Sequence, residues 1–436
     1  MSWPASARRL CGAVAAAVWL SLVMFGACKR VDVPSAPTAP APATPPPPAA
    51  AAWRRPPIID FHSHLSVDGL ERIATILDQA GIAKMVNLSG GSGRQDAVQQ
   101  RMAKELADRL PGKIVNFATP WWRGCCDAAW VEREALSLRT AVEVYNFAGL
   151  KISKGLGLGH SDQSDQLIAP DDPRLSRLWQ TAGELAIPVT IHVADPRAFW
   201  WPLSPRNERW DELGVHPYWA YGPVTEAQLA TFPQEAQELV RQRPKVASWS
   251  GMLQQAERLY RAHPHTLFVA VHFGNAAEDL EYVDGLLARN ANVDVDIAAR
   301  VGEFGRHPAA KVRVFFEKWQ DRIVFGTDIG VSSDGLMLGS NGAVEPTMAD
   351  VLPFYQAHFA YLEGQARAIA HPSPIQGRWT VDAIGLTPAV LDKLYFRNAQ
   401  ALLDRGALKK RLSQVQPATG PLGLADDATP AWAGQP

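Results

Sequence analysis

Two histidines near residue 60 have the type and spacing of a metal-binding pair. His62 and His64 lie in the stretch 58–65, whose β-branched and aromatic residues predict a short buried strand. Because strand side chains alternate between faces, the pattern places Asp60 on the same face as both histidines. Neutral imidazole suits zinc and similar divalent ions. Taken alone, the motif is better explained by two histidines with ordinary structural hydrogen bonds.

Further polar side chains stand at the ends of strands predicted later in the chain. The apolar pattern of those strands does not require them, and they are Lys151, His192, His272 and Asp328. The active-site face of a barrel collects the carboxyl ends of its parallel strands, so all four side chains can point into one cavity. Each of them alone is more often structural than functional, but coincidence is a poor explanation of the whole set.

Strands and helices alternate from residue 58 onward. Eight strands are predicted, over 58–65, 84–89, 113–118, 147–152, 188–192, 266–273, 293–297 and 322–327. The alternation favours the α/β class with a parallel sheet, and a count of eight favours a closed (β/α)8 barrel of the TIM type. Thr387 and Pro388 predict the start of a closing helix over 388–403.

Two connections between these elements are too long for simple crossovers. They span 194–265 after strand five and 329–386 after strand eight. Both insertions therefore lie on the face of the barrel that carries active sites. The first is rich in tryptophan and tyrosine, which suits a lid over a pocket and equally suits a small subdomain packed onto the barrel.

Length and charge exclude some classes of function. The chain has 436 residues, a hydrophobic content of 47% and a formal net charge of -1. It can bury a large core, in one large domain or two ordinary ones. No basic stripe indicates nucleic acid binding. We expect a small-molecule partner and no nucleic acid, and the sequence leaves open whether the chain forms a homo-oligomer.

The first residues have the form of an export signal. Arg8 and Arg9 precede an apolar run over 10–25 that is short for a membrane span and typical of a signal peptide. The run ends in a segment, 25–28, that resembles a bacterial lipobox, with Cys28 as the lipidation site. We predict a membrane-anchored, extracytoplasmic lipoprotein. The alternative is an ordinary secretory signal that releases a soluble secreted or periplasmic protein.

These features divide the chain into four predicted regions. Residues 1–28 are predicted as a lipoprotein-type signal peptide and 29–56 as a linker rich in proline and alanine. The barrel is predicted over 57–407. Residues 408–436 are predicted as a flexible C-terminal tail.

The order of the motifs resembles that of the amidohydrolase superfamily. An H-x-H pair at the end of strand one is followed by histidines at the ends of strands five and six and by Asp328 at the end of strand eight. Within the superfamily, the sequences Gly326-Thr327-Asp328 and Arg397-Asn398-Ala399 resemble the amidohydrolase-related (amidohydrolase 2) branch. The resemblance covers about residues 58–403. It implies a TIM-barrel enzyme from a branch that contains metal-dependent hydrolases, decarboxylases and hydratases.

The resemblance also implies roles for the strand-end residues. His62, His64, His192 and Asp328 would bind a divalent metal, Zn²⁺ in the first place, and Asp328 and His272 would be catalytic. One ion is favoured over two. In two-metal members a carboxylated lysine bridges the ions, and Lys151 stands at the matching position. Otherwise Lys151 would pair with a substrate carboxylate or with Asp296.

Three further residues are candidates for contacts with substrate. Asp296 and Arg300 follow strand seven, although a structural ion pair between them explains their presence equally well. Arg123 follows strand three, beside the neighbouring cysteines Cys125 and Cys126. Outside the cytoplasm this cysteine pair is more readily explained as an oxidisable thiol pair than as a metal site.

The combined expectation is a metal-dependent hydrolase that activates water to cleave a small amide, ester or lactone outside the cytoplasm. One alternative keeps the site and changes the reaction, to decarboxylation or hydration of an unsaturated or aromatic carboxylic acid. The other is a non-catalytic, tethered binding lipoprotein. An intact set of ligands disfavours this last alternative.

Overall fold

The computed structural model describes residues 53–91 and 97–430 of the chain. Eight parallel strands form one sheet in chain order. They are β1 (Ile58–Leu65), β2 (Ile82–Asn87), β3 (Ile114–Ala118), β4 (Gly149–Ile152), β5 (Val189–Ile191), β6 (Phe268–Ala270), β7 (Val293–Asp296) and β8 (Ile323–Val324). The α/β barrel predicted from the sequence is thereby confirmed, and each strand lies within three residues of its predicted position.

The chain after β8 joins the last strand of the sheet to the first. The amide of Phe61 donates to the carbonyl of Phe325 at 2.9 Å, and the amide of Asp328 donates to the carbonyl of His62 at 2.9 Å. Directly afterwards, β9 (Ile329–Val331) pairs in parallel with the end of β1. The carboxyl ends of all eight strands therefore surround one central space.

Helices connect the strands and cover the outer face of the sheet. The α-helices of the described chain, including those within the two insertions, are α1 (Leu70–Gln79), α2 (Ala97–Arg109), α3 (Ala128–Glu143), α4 (Gly155–Leu158), α5 (Ser176–Leu185), α6 (Trp210–Leu213), α7 (Glu226–Leu229), α8 (Gln234–Arg241), α9 (Trp249–Ala262), α10 (Val271–Gly274), α11 (Leu280–Arg289), α12 (Val301–Phe304), α13 (Ala309–Lys318), α14 (Met348–Glu363), α15 (Pro388–Asp392), α16 (Asn398–Leu403) and α17 (Arg405–Leu412). The helix predicted over 388–403 is divided into α15 and α16 by a π-helical turn, Lys393–Arg397.

Two layers of apolar side chains hold the barrel together. The inner layer fills the barrel with inward-facing residues of the strands, among them Ile59, Phe61, Phe117, Val269 and Val324. The outer layer lies between the sheet and the helices and contains the buried Trp130, Trp179 and Trp249. Burying such large side chains on both faces is what makes the parallel sheet stable.

The two predicted insertions are present and have structure of their own. The insertion after β5 packs around a small core of Phe199, Leu203, Leu213 and Ala220. The insertion after β8 contains the antiparallel pair β9–β10, with β10 over Leu336–Leu338, then α14 and a second pair, β11 (Ile369–Ala370) and β12 (Thr380–Val381). The first insertion is therefore a packed subdomain, and it also supplies walls of the central cavity, as described below.

The ends of the described chain contact the barrel. Arg55, in the predicted linker, forms two hydrogen bonds of 2.6 and 2.8 Å to Glu363. The predicted tail begins inside α17, where Leu408 and Leu412 are buried against the inner layer. Beyond it, the amide of Gly423 donates to Glu257 at 2.9 Å. Apolar side chains at 408 and 412 thus extend the packed region beyond the predicted boundary at 407.

Within 53–91 and 97–430, no helix has both the length and the hydropathy required to cross a bilayer. The predicted signal peptide, most of the predicted linker and the predicted lipidation site Cys28 lie outside the described residues.

Candidate active site

A bulge in β1 directs both histidines of the H-x-H motif into the central cavity. The pairing of β1 with β2 shifts by one residue between Asp60 and Ser63. An extra residue in one strand interrupts the regular alternation of its side chains. As a result, Phe61 still faces the barrel interior and both His62 and His64 line the cavity beyond it.

The same bulge takes Asp60 out of the site. Its carboxylate is fully buried and accepts hydrogen bonds from the hydroxyls of Thr327 at 2.6 Å and Tyr355 at 2.7 Å. Burial raises the pKa of Asp60 to about 6. The expectation that Asp60 shares a face with His62 is therefore wrong, because it assumed a strand without a bulge.

Three side chains converge on one point of the cavity. Oδ1 of Asp328 lies 3.2 Å from Nε2 of His62 and 3.4 Å from Nε2 of His64. Asp328 has a left-handed backbone, with φ of 63°, at the break between β8 and β9. Among the residues that the structure describes, the buried Nε2 of His62 has no hydrogen-bond partner. This orphaned nitrogen and its two neighbours fit the donor set of a divalent cation.

Asp296 holds the first of these histidines in one tautomer. Its Oδ2 lies 2.7 Å from Nδ1 of His62, and its Oδ1 accepts from the amides of His272 at 2.7 Å and Ala298 at 3.1 Å. An ionised carboxylate can only accept, so Nδ1 of His62 carries the proton and Nε2 presents its lone pair. The hydroxyl of Ser89 contacts Nδ1 of His64 at 2.7 Å in the corresponding position.

His272 stands beside this cluster as a neutral base. Its ring lies 4.7 Å from the ring of His62, and its Nδ1 donates to the carbonyl of Ala298 at 2.9 Å. Since that carbonyl can only accept, Nε2 is the unprotonated nitrogen. Burial, together with the neighbouring His192 and Arg300, holds the pKa of His272 well below its usual value.

His192 lines the same cavity but its Nε2 points elsewhere. This nitrogen lies 3.1 Å from the carbonyl of Ala194 and 3.5 Å from Oδ1 of Asp195. Among the described residues, the groups whose ligand atoms lie within 4.8 Å of one another are His62, His64 and Asp328, and His62, His272 and Asp296. The role of His192 as a fourth ligand stays a prediction.

Lys151 is a buried cation that faces the cavity. Its side chain is 3% exposed, and among the described residues its Nζ has no hydrogen-bond partner. Burial lowers the pKa of Lys151 to about 8, although the carboxylates of Asp328 and Asp296 oppose the shift. A buried amine without a partner is suited either to carboxylation or to contact with an anionic group of a ligand.

Both insertions add side chains to this cavity, which we name the inner cavity, beside those of the strand ends. It has a volume of about 260 Å³. Sequence reasoning missed four of its charged residues, Lys154, Asp195, Arg209 and Glu212. The position of Lys154 and Asp195 just after strands four and five was a usable signal. Arg209 and Glu212 gave none, because they lie inside the aromatic insertion, far from any strand end.

The sequence comparison decides the family. Residues 59–405 match the sequence profile of the amidohydrolase family. The chain belongs to the amidohydrolase family. Members of this family are metal-dependent enzymes, and the convergent histidines and Asp328 are this amidohydrolase's candidate ligands.

Solved structures similar to this amidohydrolase share little sequence with it. 2,6-Dihydroxybenzoate decarboxylase from Rhizobium is 13% identical, with a TM-score of 0.45, and the match covers 80% of this chain and 98% of that one. Dihydroorotase from Campylobacter jejuni is 12% identical, with a TM-score of 0.43 and coverages of 80% and 83%. No curated protein matches the chain.

The three residues predicted to contact substrate occupy different places in the amidohydrolase. Arg300 lines the inner cavity, as a substrate-side residue would. Asp296 binds His62 and does not line the cavity, and the alternative ion pair between Asp296 and Arg300 is not among the contacts of the described residues. Arg123 is exposed and borders a separate cavity, of about 580 Å³, that reaches His64. Next to it, the two neighbouring cysteines Cys125–Cys126 form a disulfide.

Proposed function

We propose that this amidohydrolase binds a divalent metal, in the first place one Zn²⁺, and hydrolyses a small amide, ester or lactone. The observation that carries the proposal is the convergence of His62, His64 and Asp328 around a buried imidazole nitrogen that is without a partner among the described residues. His192 would complete the ligands. A second ion would require a carboxylated Lys151.

When bound, a divalent cation polarises a carbonyl group and makes a water molecule more acidic. The chain must then accept the proton of that water. Two groups can do so. The first is the carboxylate of Asp328. Burial alone would raise the pKa of Asp328, but His62 and His64 hold this pKa well below its usual value, so the carboxylate is ionised.

His272 is the second proton acceptor, and it can also act as the proton donor to a leaving group. Its hydrogen bond to Ala298 leaves Nε2 free to take a proton, and its lowered pKa favours giving that proton up again. A group with these properties can shuttle a proton from the attacking water to the leaving amine or alcohol. This assigns to His272 general base and then general acid catalysis.

The cations of the inner cavity favour a second candidate reaction on the same residues. Lys151 and Arg300 both line the cavity, and either can bind a carboxylate of the substrate. Decarboxylation or hydration of an unsaturated or aromatic acid would use this arrangement without hydrolysis. A non-catalytic binding lipoprotein would not need His272 in its proton-accepting tautomer.

We propose further that the enzyme acts outside the cytoplasm on a small molecule. The support is the apolar segment that ends at Cys28, where lipidation would tether the protein to a membrane.

The first test is metal content. Elemental analysis of the full chain should give about one ion per chain, and the double variant His62→Ala, His64→Ala should lose it. The matched control is the double variant His263→Ala, His265→Ala, because this second H-x-H pair lies outside the inner cavity. It should keep the metal. Full retention of metal in the first double variant would contradict the proposal.

The second test separates hydrolysis from its rival reactions, decarboxylation and hydration. His272→Asn should keep the metal and lose about 10²- to 10⁴-fold in turnover, as expected for a removed acid–base group. Turnover in ¹⁸O-labelled water should place the label in the product carboxylate, because water attacks the carbonyl carbon; label in a hydroxyl would instead indicate hydration. Stoichiometric carbon dioxide without ¹⁸O in the product would replace hydrolysis by decarboxylation.

A further inference from the structure

A second cavity opens beside the candidate metal ligands. We name it the outer cavity; its volume is about 600 Å³, more than twice that of the inner cavity. It lies between the end of β1, the helix α2 and the hairpin β9–β10. His64, Met337 and Asn341 border both cavities. A ligand whose reacting group lies in the inner cavity could therefore extend past His64 into the outer one.

The walls of the outer cavity are mainly apolar, with side chains of Leu65, Val67, Met102, Val331, Leu336 and Met337. Polar residues, among them Ser66, Gln99, His216 and Asn341, also line it. Among the described residues that line it, there is no lysine or arginine, and Glu345 is the one carboxylate, on an exposed residue. The inner cavity differs sharply, since Lys151, Lys154, Arg209 and Arg300 all line it.

The cavity near Arg123 offers a different chemistry. It also reaches His64, but its lining contains Lys151, Arg123 and His160. A polar or anionic part of a ligand is better solvated there. Of the two spaces that extend from the candidate ligands, the outer cavity is the one whose described lining contains no lysine or arginine.

Two apolar side chains that line the outer cavity remain in contact with water. Met102 is 39% exposed and Val344 is 84% exposed. Exposed apolar side chains that surround a concave space favour a ligand that removes them from water. Continuity with the inner cavity identifies this ligand as part of the substrate.

We propose that the outer cavity binds an apolar arm of the substrate, an alkyl or acyl chain attached to the group that reacts beside His62, His64 and Asp328. The inference rests on the proposed function, because the reacting group must be held by that site. It narrows the substrate class from any small amide, ester or lactone to one with an aliphatic chain. Binding energy would then come from burial of methylene groups against Met102, Leu336 and Met337.

Alkyl hydroxamates of two, six and eight carbons are suitable probes. The hydroxamate head group chelates a metal, and the chain tests the outer cavity. The full-length, metal-loaded protein is titrated with each compound by calorimetry. If each added methylene realises half of its transfer free energy, affinity should rise about twofold per methylene and on the order of 60-fold from two to eight carbons.

Two variants locate the chain. Met102→Lys places a charge in the wall of the outer cavity and should abolish most of the gain with chain length, leaving the affinity for acetohydroxamate unchanged. Val314→Lys makes the same kind of change on α13, at a residue that is 62% exposed and lines none of the cavities described above. It should keep the full gain.

The outcomes separate this inference from the proposed function. If acetohydroxamate binds but longer chains bind no more tightly, the apolar arm is refuted and the metal site stands. A gain that Met102→Lys does not diminish also refutes the inference, because the chain then lies elsewhere. If none of the hydroxamates binds the metal-loaded protein, the proposed function fails and this inference fails with it.

Discussion

Replacement of Asp296 by asparagine should weaken metal binding through the tautomer of His62. In the native chain Oδ1 of Asp296 accepts from two backbone amides, and Oδ2 faces Nδ1 of His62 at 2.7 Å. In the Asp296→Asn variant the amide oxygen can keep both backbone hydrogen bonds. The NH₂ group then faces His62, whose Nδ1 must become the acceptor and whose Nε2 must carry the proton. A protonated Nε2 cannot bind a cation.

The size of the effect follows from the loss of the carboxylate that fixes the tautomer of His62. Loss of a carboxylate that orients a ligating histidine typically costs 10- to 100-fold in metal affinity. That corresponds to about 1.4 to 2.8 kcal/mol of binding free energy. The substitution preserves the shape of the side chain, so the fold should persist.

Asp294 provides a matched control on the same strand. It is equally buried, but it pairs with Arg322 at 3.1 Å and with Arg411 at 2.6 Å. Asp294→Asn should therefore lower the free energy of unfolding and leave metal affinity unchanged.

The assay is competition for zinc with a chromogenic chelator, with thermal unfolding of each variant measured in parallel. We expect a metal affinity 10- to 100-fold lower in Asp296→Asn and a native affinity in Asp294→Asn. An affinity within threefold of the native value in Asp296→Asn would refute the tautomer argument. An equal loss in both variants would show that the effect arises from general destabilisation.

Three further predictions concern other parts of the chain. Cys28→Ser should move the protein from the membrane fraction to the soluble fraction or leave its signal uncleaved; unchanged fractionation and an unchanged mature N-terminus would exclude lipidation there. Lys151→Met should keep about one metal ion per chain by elemental analysis while turnover falls. Two ions per native chain, with fewer in the variant, would favour the two-metal site. Burial lowers the pKa of His358 to about 4. The folded protein therefore keeps His358 neutral, whereas the unfolded chain protonates it below pH about 6.5. The contribution of His358 to the free energy of unfolding is complete above that pH and is lost as pH falls toward 4. Denaturant unfolding at pH 7 and pH 4 should show that His358→Gln reduces the acid-side loss by about 3 kcal/mol, and an identical loss in both proteins would refute this.

The sequence determined the barrel and the identities of most candidate site residues. Alternating strand and helix patterns are local properties, so eight strands could be read along the chain. His62 was found from its H-x-H spacing to His64, and His272 and Asp328 were found because each is a polar residue at the end of an apolar strand. Cavity-lining residues without that signature, such as Arg209 and Glu212, were missed for the same reason.

Only the tertiary structure decided how these residues work together. The hydrogen bond between Asp296 and His62 joins residues 234 positions apart, and no local pattern encodes it. The bulge that separates Asp60 from His62 depends on the register between β1 and β2. The outer cavity forms where β1, α2 and the β9–β10 hairpin meet, so its apolar walls are scattered along the sequence. Tautomer, strand register and cavity shape are set by contacts between distant segments, which is why the sequence alone could name the residues but could not orient them.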